Sequence, residues 1–400
     1  MTLRALLLEN IHPDAAALLS KAGFEVETVP TSLGQDDLAA RLPGVHLLGI
    51  RSKTEVSARV VEAGHDLLAV GAFCIGTNQI DLAGAAGRGV AVFNAPFSNT
   101  RSVVELVIAE IIALTRRLTE KSAALHAGAW DKSAEGAHEV RGRRLGIVGY
   151  GNIGSQLSVL AESLGLSVSF YDIADKLALG NARRCASLEE LLESSDIVTL
   201  HVDGRPGNAG LFGEAQLARM RQDSIFLNLS RGFVVDDRAL ADRLRSGHLA
   251  GAAMDVFPRE PAGRGEEFVS ELRGLPNVIL TPHIGGSTEE AQQDIGGYVA
   301  GKLRAYLETG TTTMSVNLPS VLAEPLGEHH RIAYLHRNVP GVLGRLNSLL
   351  GEHGVNVEGQ ILATRGELGY VLTDVAREYD PQVLDALGDR PETVRLRVLV

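Results

Sequence analysis

Three ionisable side chains, Arg231, Glu260 and His283, each follow a predicted β-strand and have the chemical types that acid–base chemistry on a small acid requires. The imidazole of His283 titrates near neutral pH, so it can accept the proton of a substrate hydroxyl, and the carboxylate of Glu260 can orient it and keep it protonable. The planar guanidinium of Arg231 can hold a carboxylate through two hydrogen bonds. Such a set suits the oxidation of a hydroxy acid by hydride transfer to a nicotinamide.

Spacing alone leaves simpler interpretations of these three residues open. A single histidine after a strand is more often a hydrogen-bonded structural residue. Arg231 could pair only with a phosphate, and Glu260 could form a surface ion pair with Arg259.

The stretch from Leu145 to Asp172 predicts a strand, a tight turn, a helix and a second strand. The turn has the glycine spacing of a dinucleotide site: Gly149 permits the turn, Gly151 lets a pyrophosphate approach, and Gly154 lets the helix pack on the strand. The start of that helix, at Asn152-Ile153, attracts phosphates. Asp172 comes about 20 residues later, where a carboxylate accepts hydrogen bonds from the adenosine ribose, so NAD is predicted rather than NADP. The alternative is a purely structural glycine turn in another α/β domain.

Composition narrows the class of protein. A chain of 400 residues, 45% of them hydrophobic, predicts two or three domains with large cores, and the net charge of −11 argues against nucleic acid or an anionic membrane as main partner. The two cysteines, Cys74 and Cys185, favour a reducing compartment and lack metal-ligand spacing, so no metal site is predicted. No apolar run reaches the roughly 18 residues of a membrane helix. We therefore expect a soluble cytoplasmic protein.

Residues 1–98 alternate short apolar runs with helical patterns, which predicts a second α/β unit, without a glycine-rich nucleotide turn. Its strand Val45–Ile50 is followed by Arg51-Ser52-Lys53-Thr54. Two cations and two hydroxyls at the end of a strand can hold a carboxylate or a phosphate, although a solvated basic turn fits the spacing about as well.

Ser98-Asn99-Thr100 predicts the start of a long helix, roughly Arg101 to Leu118, that is apolar nearly all round and therefore buried in a core or an interface. Ser287 with Glu290 predicts a capping box for a later helix. Between these two helix starts, several predicted strands end close to residues that could bind a ligand or take part in a reaction. In an open parallel sheet, ligands bind at the carboxyl ends of the strands. The residues at or beyond these strand ends are His201, Ser230-Arg231-Gly232, Asp255, Glu260 and His283.

Residues 311–328 have no strong periodicity and are predicted to be a linker. The remainder, from Ile332 to the end, alternates strands and helices in the order βαββαβ, which predicts a small ferredoxin-like domain.

Several motifs resemble the D-2-hydroxyacid dehydrogenase family: the glycine turn, Ser230-Arg231-Gly232, Asp255 to Pro261, and Pro282-His283-Ile284-Gly285-Gly286. Phe73 to Asn78, Phe93 to Ser102 and Arg51-Ser52 resemble one branch of it more closely, the bacterial and yeast 3-phosphoglycerate dehydrogenases, and the tail resembles the ACT domain of that branch. The resemblance covers nearly the whole chain.

The resemblance implies two flavodoxin- or Rossmann-like parallel-sheet domains with the active site in the cleft. A discontinuous substrate-binding domain (1–98 and 286–327) would receive an inserted NAD-binding domain (99–285), and an ACT regulatory domain (328–400) would follow.

Site residues also follow from the resemblance. Arg231, Glu260 and His283 would be catalytic. Arg231 and His283 would also contact NAD, as would the three glycines of the turn. The remaining NAD contacts would be Asn152, Ile153, Asp172, His201, Leu229, Ser230, Asp255 and Gly286. The 3-phosphoglycerate contacts would be Arg51, Ser52, Lys53, Asn99, Lys132 and Gln292, with Lys53 standing where an arginine is common and Lys132 in a stretch that reaches across the cleft.

His336, Asn338 and Asn356 match the effector site of that branch, which binds L-serine. An imidazole and two amides between adjoining ACT domains can meet both the carboxylate and the ammonium of a small amino acid. Polar turn residues are the alternative, and Val339 stands where an arginine is frequent.

The function implied is NAD-dependent oxidation of 3-phosphoglycerate to 3-phosphohydroxypyruvate, the first step of serine synthesis, in a homotetramer inhibited by serine. Reduction of 2-oxoglutarate is a second activity implied by the family. Two alternatives remain: another 2-hydroxyacid dehydrogenase, acting on glycerate or lactate, and a sensor or corepressor that reads NADH and an amino acid without turnover.

Overall fold

The computed structural model describes residues 3–261 and 265–400. By their internal packing these residues form two compact units, residues 1–98 together with 292–400, and residues 99–291. No helix in the described part of the chain combines the length and the apolar character needed to cross a membrane.

The first unit begins with a five-stranded sheet. Its strands are β1 (Arg4–Leu7), β2 (Glu25–Thr28), β3 (Leu47–Ile50), β4 (Ala69–Ala72) and β5 (Ala91–Asn94), and its helices are α1 (Pro13–Lys21), α2 (Gln35–Arg41), α3 (Ala58–Ala63) and α4 (Leu82–Gly87). The strands are all parallel in the order β2-β1-β3-β4-β5, the flavodoxin-like arrangement. The central strands are short apolar runs buried on both faces, as helices on each side of a sheet require. The short helices α3 and α4 have no counterpart among our predicted elements.

The second unit carries a seven-stranded parallel sheet. Its elements are α5 (Thr100–Thr115), α6 (Leu118–His126), β6 (Arg144–Val148), α7 (Asn152–Ser163), β7 (Ser167–Tyr171), β8 (Arg183–Arg184), α8 (Leu188–Ser194), β9 (Ile197–Leu200), α9 (Glu214–Arg219), β10 (Ser224–Asn228), α10 (Asp237–Arg245), β11 (Leu249–Met254) and β12 (Val278–Leu280). The order β12-β11-β10-β9-β6-β7-β8 reverses direction between β6 and β9, as in Rossmann folds. The predicted dinucleotide-type fold is confirmed.

The predicted helix 101–118 is shorter than expected. Helix α5 ends at Thr115, and Arg117 adopts a left-handed conformation with φ of 51°, which breaks the helical path before α6 begins at Leu118. The predicted burial of α5 is confirmed for one face, where Val104, Val107 and Ile111 belong to the core of the second unit.

Helix α11 (Glu289–Thr309) follows the second sheet. We predicted that Ser287 caps this helix. Instead the Thr288 hydroxyl accepts a hydrogen bond from the Ala291 amide at 3.2 Å, so the cap is displaced by one residue.

The segment predicted as a linker is packed rather than free. The Val316 amide donates a hydrogen bond to the Val92 carbonyl at 2.9 Å, and Oδ1 of Asn317 accepts one from the Val92 amide at 2.9 Å. This segment therefore borders strand β5. Buried Thr312 ties the segment together by accepting the Val321 amide and donating to the Pro319 carbonyl. Periodicity did not reveal this because the stabilising groups are side-chain hydroxyls and amides rather than an apolar stripe.

The last part of the first unit is an antiparallel sheet with two helices: β13 (His330–Arg337), α12 (Val342–Glu352), β14 (Val357–Arg365), β15 (Leu368–Val375), α13 (Gln382–Gly388) and β16 (Thr393–Leu399). The strand order β14-β15-β13-β16 confirms the predicted ferredoxin-like domain. One face of this sheet packs on α12 and α13, while Ala333, Leu335, Tyr370 and Leu372 on the other face share a core with helix α11 and the first sheet.

Candidate active site

In the second unit, the ends of five parallel strands bring the predicted site residues to one edge of the sheet. The glycine turn follows β6, His201 follows β9, Arg231 follows β10, Asp255 follows β11 and His283 follows β12. This carboxyl edge, next to the switch point between β6 and β9, is where ligands bind in sheets of this type.

The glycine turn has the shape that a pyrophosphate requires. Gly149 has a φ of 93°, and a Cβ at this position would lie 2.5 Å from the His201 carbonyl oxygen. A Cβ on Gly154 would lie 2.2 Å from the Gly149 carbonyl oxygen, whereas a Cβ on Gly151 would face open space. The first and third glycines are therefore needed for packing, and the second leaves room in front of the first turn of α7.

Asp172 lies at the end of β7, beside the glycine turn. Its carboxylate accepts hydrogen bonds from the Tyr150 and Ala174 amides, both at 2.8 Å, which fix its orientation. The Tyr150 ring stacks on Phe170 with centroids 3.7 Å apart and further holds the turn. A fixed carboxylate suits the hydroxyls of an adenosine ribose and repels a 2′-phosphate, so these residues fit NAD.

His283 and Glu260 form a hydrogen-bonded pair. The Nδ1 of His283 donates to Oε2 of Glu260 at 2.9 Å, and Oε1 of Glu260 accepts the Phe257 amide at 3.2 Å. The hydrogen bond to Glu260 raises the pKa of His283 above its usual value, although burial acts in the opposite direction. Burial alone would raise the pKa of Glu260, but the hydrogen bond from His283 and the charges nearby hold it below its usual value. Nε2 of His283 is left to exchange a proton with a ligand.

The backbone of His283 is itself unusual, with a φ of 56°. Asp255, which is 2% exposed, holds this turn: Oδ1 accepts the Thr281 hydroxyl at 2.6 Å and the Ile284 amide at 2.8 Å, and Oδ2 accepts the Gly285 amide at 2.8 Å. Sequence reasoning predicted Asp255 only as a cofactor contact. Its position directly after a buried strand was the one available signal for this supporting role.

Arg231 is placed by a close contact between two loops. A Cβ on the neighbouring Gly232 would lie 2.0 Å from the Phe257 backbone, so these segments touch. The Arg231 carbonyl accepts from the Asn228 side chain at 3.1 Å, and its guanidinium donates to the Ser230 carbonyl at 2.7 Å. The charge of Arg231 acts on both Glu260 and His283, so the predicted catalytic trio is brought together.

Other predicted cofactor contacts lie along the same edge. Asn152 and Ile153 open helix α7, and Leu229 and Ser230 follow β10, with both the amide and the hydroxyl of Ser230 bound to Oδ1 of Asn228. Burial lowers the pKa of His201 to about 3, so its ring is neutral, and it meets the Thr199 hydroxyl at 3.1 Å.

The predicted substrate contacts divide between the two units. In the second unit, the Asn99 side chain lies against Gly286: a Cβ on Gly286 would be 2.1 Å from Nδ2 of Asn99. Lys132 lies in an exposed segment without regular structure. In the first unit, Arg51, Ser52 and Lys53 follow β3, and Gln292 lies near the start of α11.

The predicted effector residues are in the antiparallel domain. His336 is 3% exposed, donates from Nδ1 to the Arg337 carbonyl at 2.8 Å and has no partner for Nε2 among the described residues. It faces Gly369 of β15, where a Cβ would lie 2.3 Å from the imidazole. Asn338 donates to the Gly366 carbonyl at 3.3 Å, so it lies at the same end of the sheet.

Asn356 is not brought to His336 within one chain. Asn356 precedes Val357, which pairs with Val375, whereas His336 pairs with Gly369, six positions away along β15. At about 3.3 Å per residue this separates them by roughly 20 Å.

Comparison with known proteins agrees with this architecture. Residues 108–285 match the model of the D-isomer specific 2-hydroxyacid dehydrogenase NAD binding domain, and residues 332–395 match an AHAS small subunit-like ACT domain. A solved structure, the TT0316 protein from Thermus thermophilus, superposes with a TM-score of 0.70 at 31% identity, covering 76% of this chain and 97% of its own.

Two curated relatives extend over both regions. The D-3-phosphoglycerate dehydrogenase of Haemophilus influenzae is 49% identical, and that of Escherichia coli strain K12 is 48% identical. Each alignment covers 99% of this chain and 97% of the relative. At this identity over nearly the whole length of both relatives, and with an NAD-binding domain followed by an ACT domain, the chain belongs to the D-3-phosphoglycerate dehydrogenase family.

Proposed function

We propose that the chain catalyses NAD-dependent oxidation of 3-phospho-D-glycerate to 3-phosphohydroxypyruvate, the first step of L-serine biosynthesis. The observation that carries this proposal is the His283–Glu260 pair, 2.9 Å apart, within the electrostatic reach of Arg231 at the ligand-binding edge of an NAD-binding sheet. The names of the curated relatives support the choice of substrate.

Each member of the trio then has one role. Nε2 of His283 takes the proton of the substrate's C2 hydroxyl, Glu260 stabilises the imidazolium that forms, and Arg231 binds the substrate carboxylate. The nicotinamide of NAD accepts the hydride from C2. The C2–H and O–H bonds break as the C2=O bond forms, which balances the reaction. The reverse reaction, including reduction of 2-oxoglutarate, uses His283 as the proton donor.

We assign the contacts to 3-phosphoglycerate to Arg51, Ser52, Lys53, Asn99, Lys132 and Gln292, and recognition of its phosphate to the cations Arg51, Lys53 and Lys132. Arg51 and Lys53 lie on one loop, and the two positive charges there favour an anion. A glycerate or lactate dehydrogenase, the nearest alternative, would not need them.

The substrate is tested by NADH formation from purified protein with NAD and either 3-phosphoglycerate, D-glycerate or D-lactate. We expect kcat/KM to be highest by far for 3-phosphoglycerate, and the Lys53→Met variant to lose much of that preference while retaining its activity on D-glycerate. Higher activity of the unmodified protein on D-glycerate or D-lactate would assign it to another branch of the family.

We further propose that L-serine binds between the ACT domains of two chains and inhibits the enzyme. Strand β14 is an edge of its sheet and exposes Ile361 and Leu362, which favours pairing with a second copy. If two β14 strands pair antiparallel, the start of one lies opposite the end of the other. Asn356 of one chain then lies near the end of the sheet that holds His336 and Asn338 of its partner.

This arrangement makes the protein a homo-oligomer, and a second contact between pairs would give a tetramer. We place the protein in the cytoplasm, because a chain of 400 residues with two cysteines fits a reducing compartment.

A further inference from the structure

Glu9 stands directly behind the loop formed by Arg51, Ser52, Lys53 and Thr54, although more than 40 residues separate them in sequence. It follows β1, is 8% exposed and has a left-handed φ of 61°. Its Oε1 accepts the amides of Arg51 at 3.1 Å and Thr54 at 2.8 Å, and its Oε2 accepts the amide of Lys53 at 3.0 Å.

This position is unfavourable for a glutamate unless other contacts compensate for it. A glutamate in the left-handed region is strained, and a buried carboxylate is stable only when its oxygens are well bonded, so three charge-assisted hydrogen bonds are needed to retain it. From the other side, Nε2 of Gln79 donates to the Arg51 carbonyl at 2.6 Å. The loop backbone is therefore held at both its amide and its carbonyl groups.

These contacts determine how the loop can bind an anion. The amides of Arg51, Lys53 and Thr54 point at Glu9, so they are not available to form a backbone anion site of the kind found in phosphate-binding loops. Anion binding by this loop then falls to the Ser52 amide and to the side chains of Arg51, Ser52 and Lys53, and their directions are set by the backbone that Glu9 fixes.

We propose that Glu9 is a positioning residue for the substrate's phosphate: it holds the 51–54 loop so that its side chains reach that group. This inference rests on the proposed function. The direct electrostatic effect of Glu9 on a bound phosphate is repulsive, so its two possible contributions to binding have opposite signs.

The test is the Glu9→Gln variant, which is nearly isosteric. A glutamine oxygen can still accept two amides, but its NH₂ group faces the third amide, donor against donor. With NADH as reductant, we expect the KM for 3-phosphohydroxypyruvate to rise by about tenfold, while the KM for NADH and the kinetics with unphosphorylated hydroxypyruvate stay unchanged. If the carboxylate acted only by its charge, that KM would fall.

The matched control is Glu55→Gln, which removes the same charge one residue beyond the loop. Glu55 bonds to the exposed Gln35 side chain at 3.0 Å, and this variant should behave as the unmodified protein does. The circular dichroism spectrum and the urea-unfolding transition verify that each variant is folded. If Glu9→Gln does not fold, Glu9→Asp, which keeps the charge but shortens the reach, should show the same selective rise in KM.

An unchanged or lower KM for 3-phosphohydroxypyruvate in Glu9→Gln overturns the inference, as does an equal loss with both ketoacids. In either case the proposed function stands as long as the unmodified protein prefers the phosphorylated substrate. If the unmodified protein does not prefer it, both proposals fail together.

Discussion

The chemistry of the proposed reaction depends on one hydrogen bond, from His283 to Glu260. This bond raises the pKa of His283, so more of the imidazole is protonated at neutral pH. Oxidation needs the neutral ring as proton acceptor, and kcat/KM for oxidation therefore falls below the pKa of His283. Reduction needs the imidazolium and falls above it.

We expect Glu260→Gln to lower the pKa of His283 and to move both pH limits to lower values. Reduction of 3-phosphohydroxypyruvate at pH 7 should then fall by about tenfold or more, and by more than oxidation does. The measurement is kcat/KM against pH in both directions, with Glu267→Gln, whose carboxylate pairs with Arg273 on the surface, as control. Unshifted pH limits in Glu260→Gln would argue that another group transfers the proton.

Among single residues, the sequence predicted those site residues that belong to a recognisable local motif. Arg231, Glu260 and His283 each follow a strand, and a parallel sheet brings such positions together. Glu9 and the supporting role of Asp255 were not foreseen, because their hydrogen bonds reach backbone amides about 30 to 45 residues away and leave no local pattern.

Helix α5 carries a buried carboxyl group, that of Glu110, on its apolar face. Glu110 is 3% exposed, and neither of its oxygens has a hydrogen-bonding partner among the described residues. Burial, with a smaller contribution from the charge of Asp255, raises its pKa from 4.5 to about 8. At neutral pH this side chain is therefore protonated in the folded protein and ionised in the unfolded chain.

Between pH 4.5 and about 8 the folded state binds more protons at Glu110 than the unfolded chain does. The contribution of Glu110 to folding stability therefore falls as pH rises, by about 1.4 kcal/mol per pH unit. Glu110→Gln should abolish this slope and make the protein more stable at pH 8 than the unmodified chain. Urea unfolding at pH 5 and pH 8 measures it. Glu105→Gln, exposed on the same helix, should leave the slope unchanged; an equal slope in Glu110→Gln would contradict the assignment.

Strands that are short apolar runs were predicted closely: the runs Ile197–Leu200 and Val278–Leu280 in the sequence predict strands with the same bounds as β9 and β12. Elements that depend on side-chain hydroxyls or on one backbone angle were not. Arg117 ends the α5 path through a left-handed φ that no residue type required, and the 311–321 segment is ordered by Thr312 and Asn317 rather than by apolar residues.

In the whole molecule, the residues proposed to bind the effector lie at opposite ends of the ACT-domain sheet. His336 pairs with Gly369, whereas Asn356 immediately precedes Val357, which pairs with Val375. No single domain can bring these side chains to one serine molecule. The proposed effector site therefore requires two chains. The types of these residues alone do not predict a site between chains, and only the family resemblance suggested it.

We expect L-serine to inhibit NADH formation, and both His336→Ala and Asn356→Ala to weaken serine binding by about tenfold or more, as measured by calorimetry. Asn347→Ala changes an exposed amide of the same domain, bonded to Gln360, and should bind serine normally. If Asn356→Ala retains full serine binding, the site does not include the partner's strand.

The most direct measurement follows the hydride itself. Purified protein is given NAD and 3-phosphoglycerate that carries deuterium at C2, and the NADH formed is analysed by mass spectrometry. We expect one deuterium in each NADH molecule, and about a hundredfold or greater loss of rate in His283→Ala. Unlabelled NADH, or no NADH with this substrate, would contradict it.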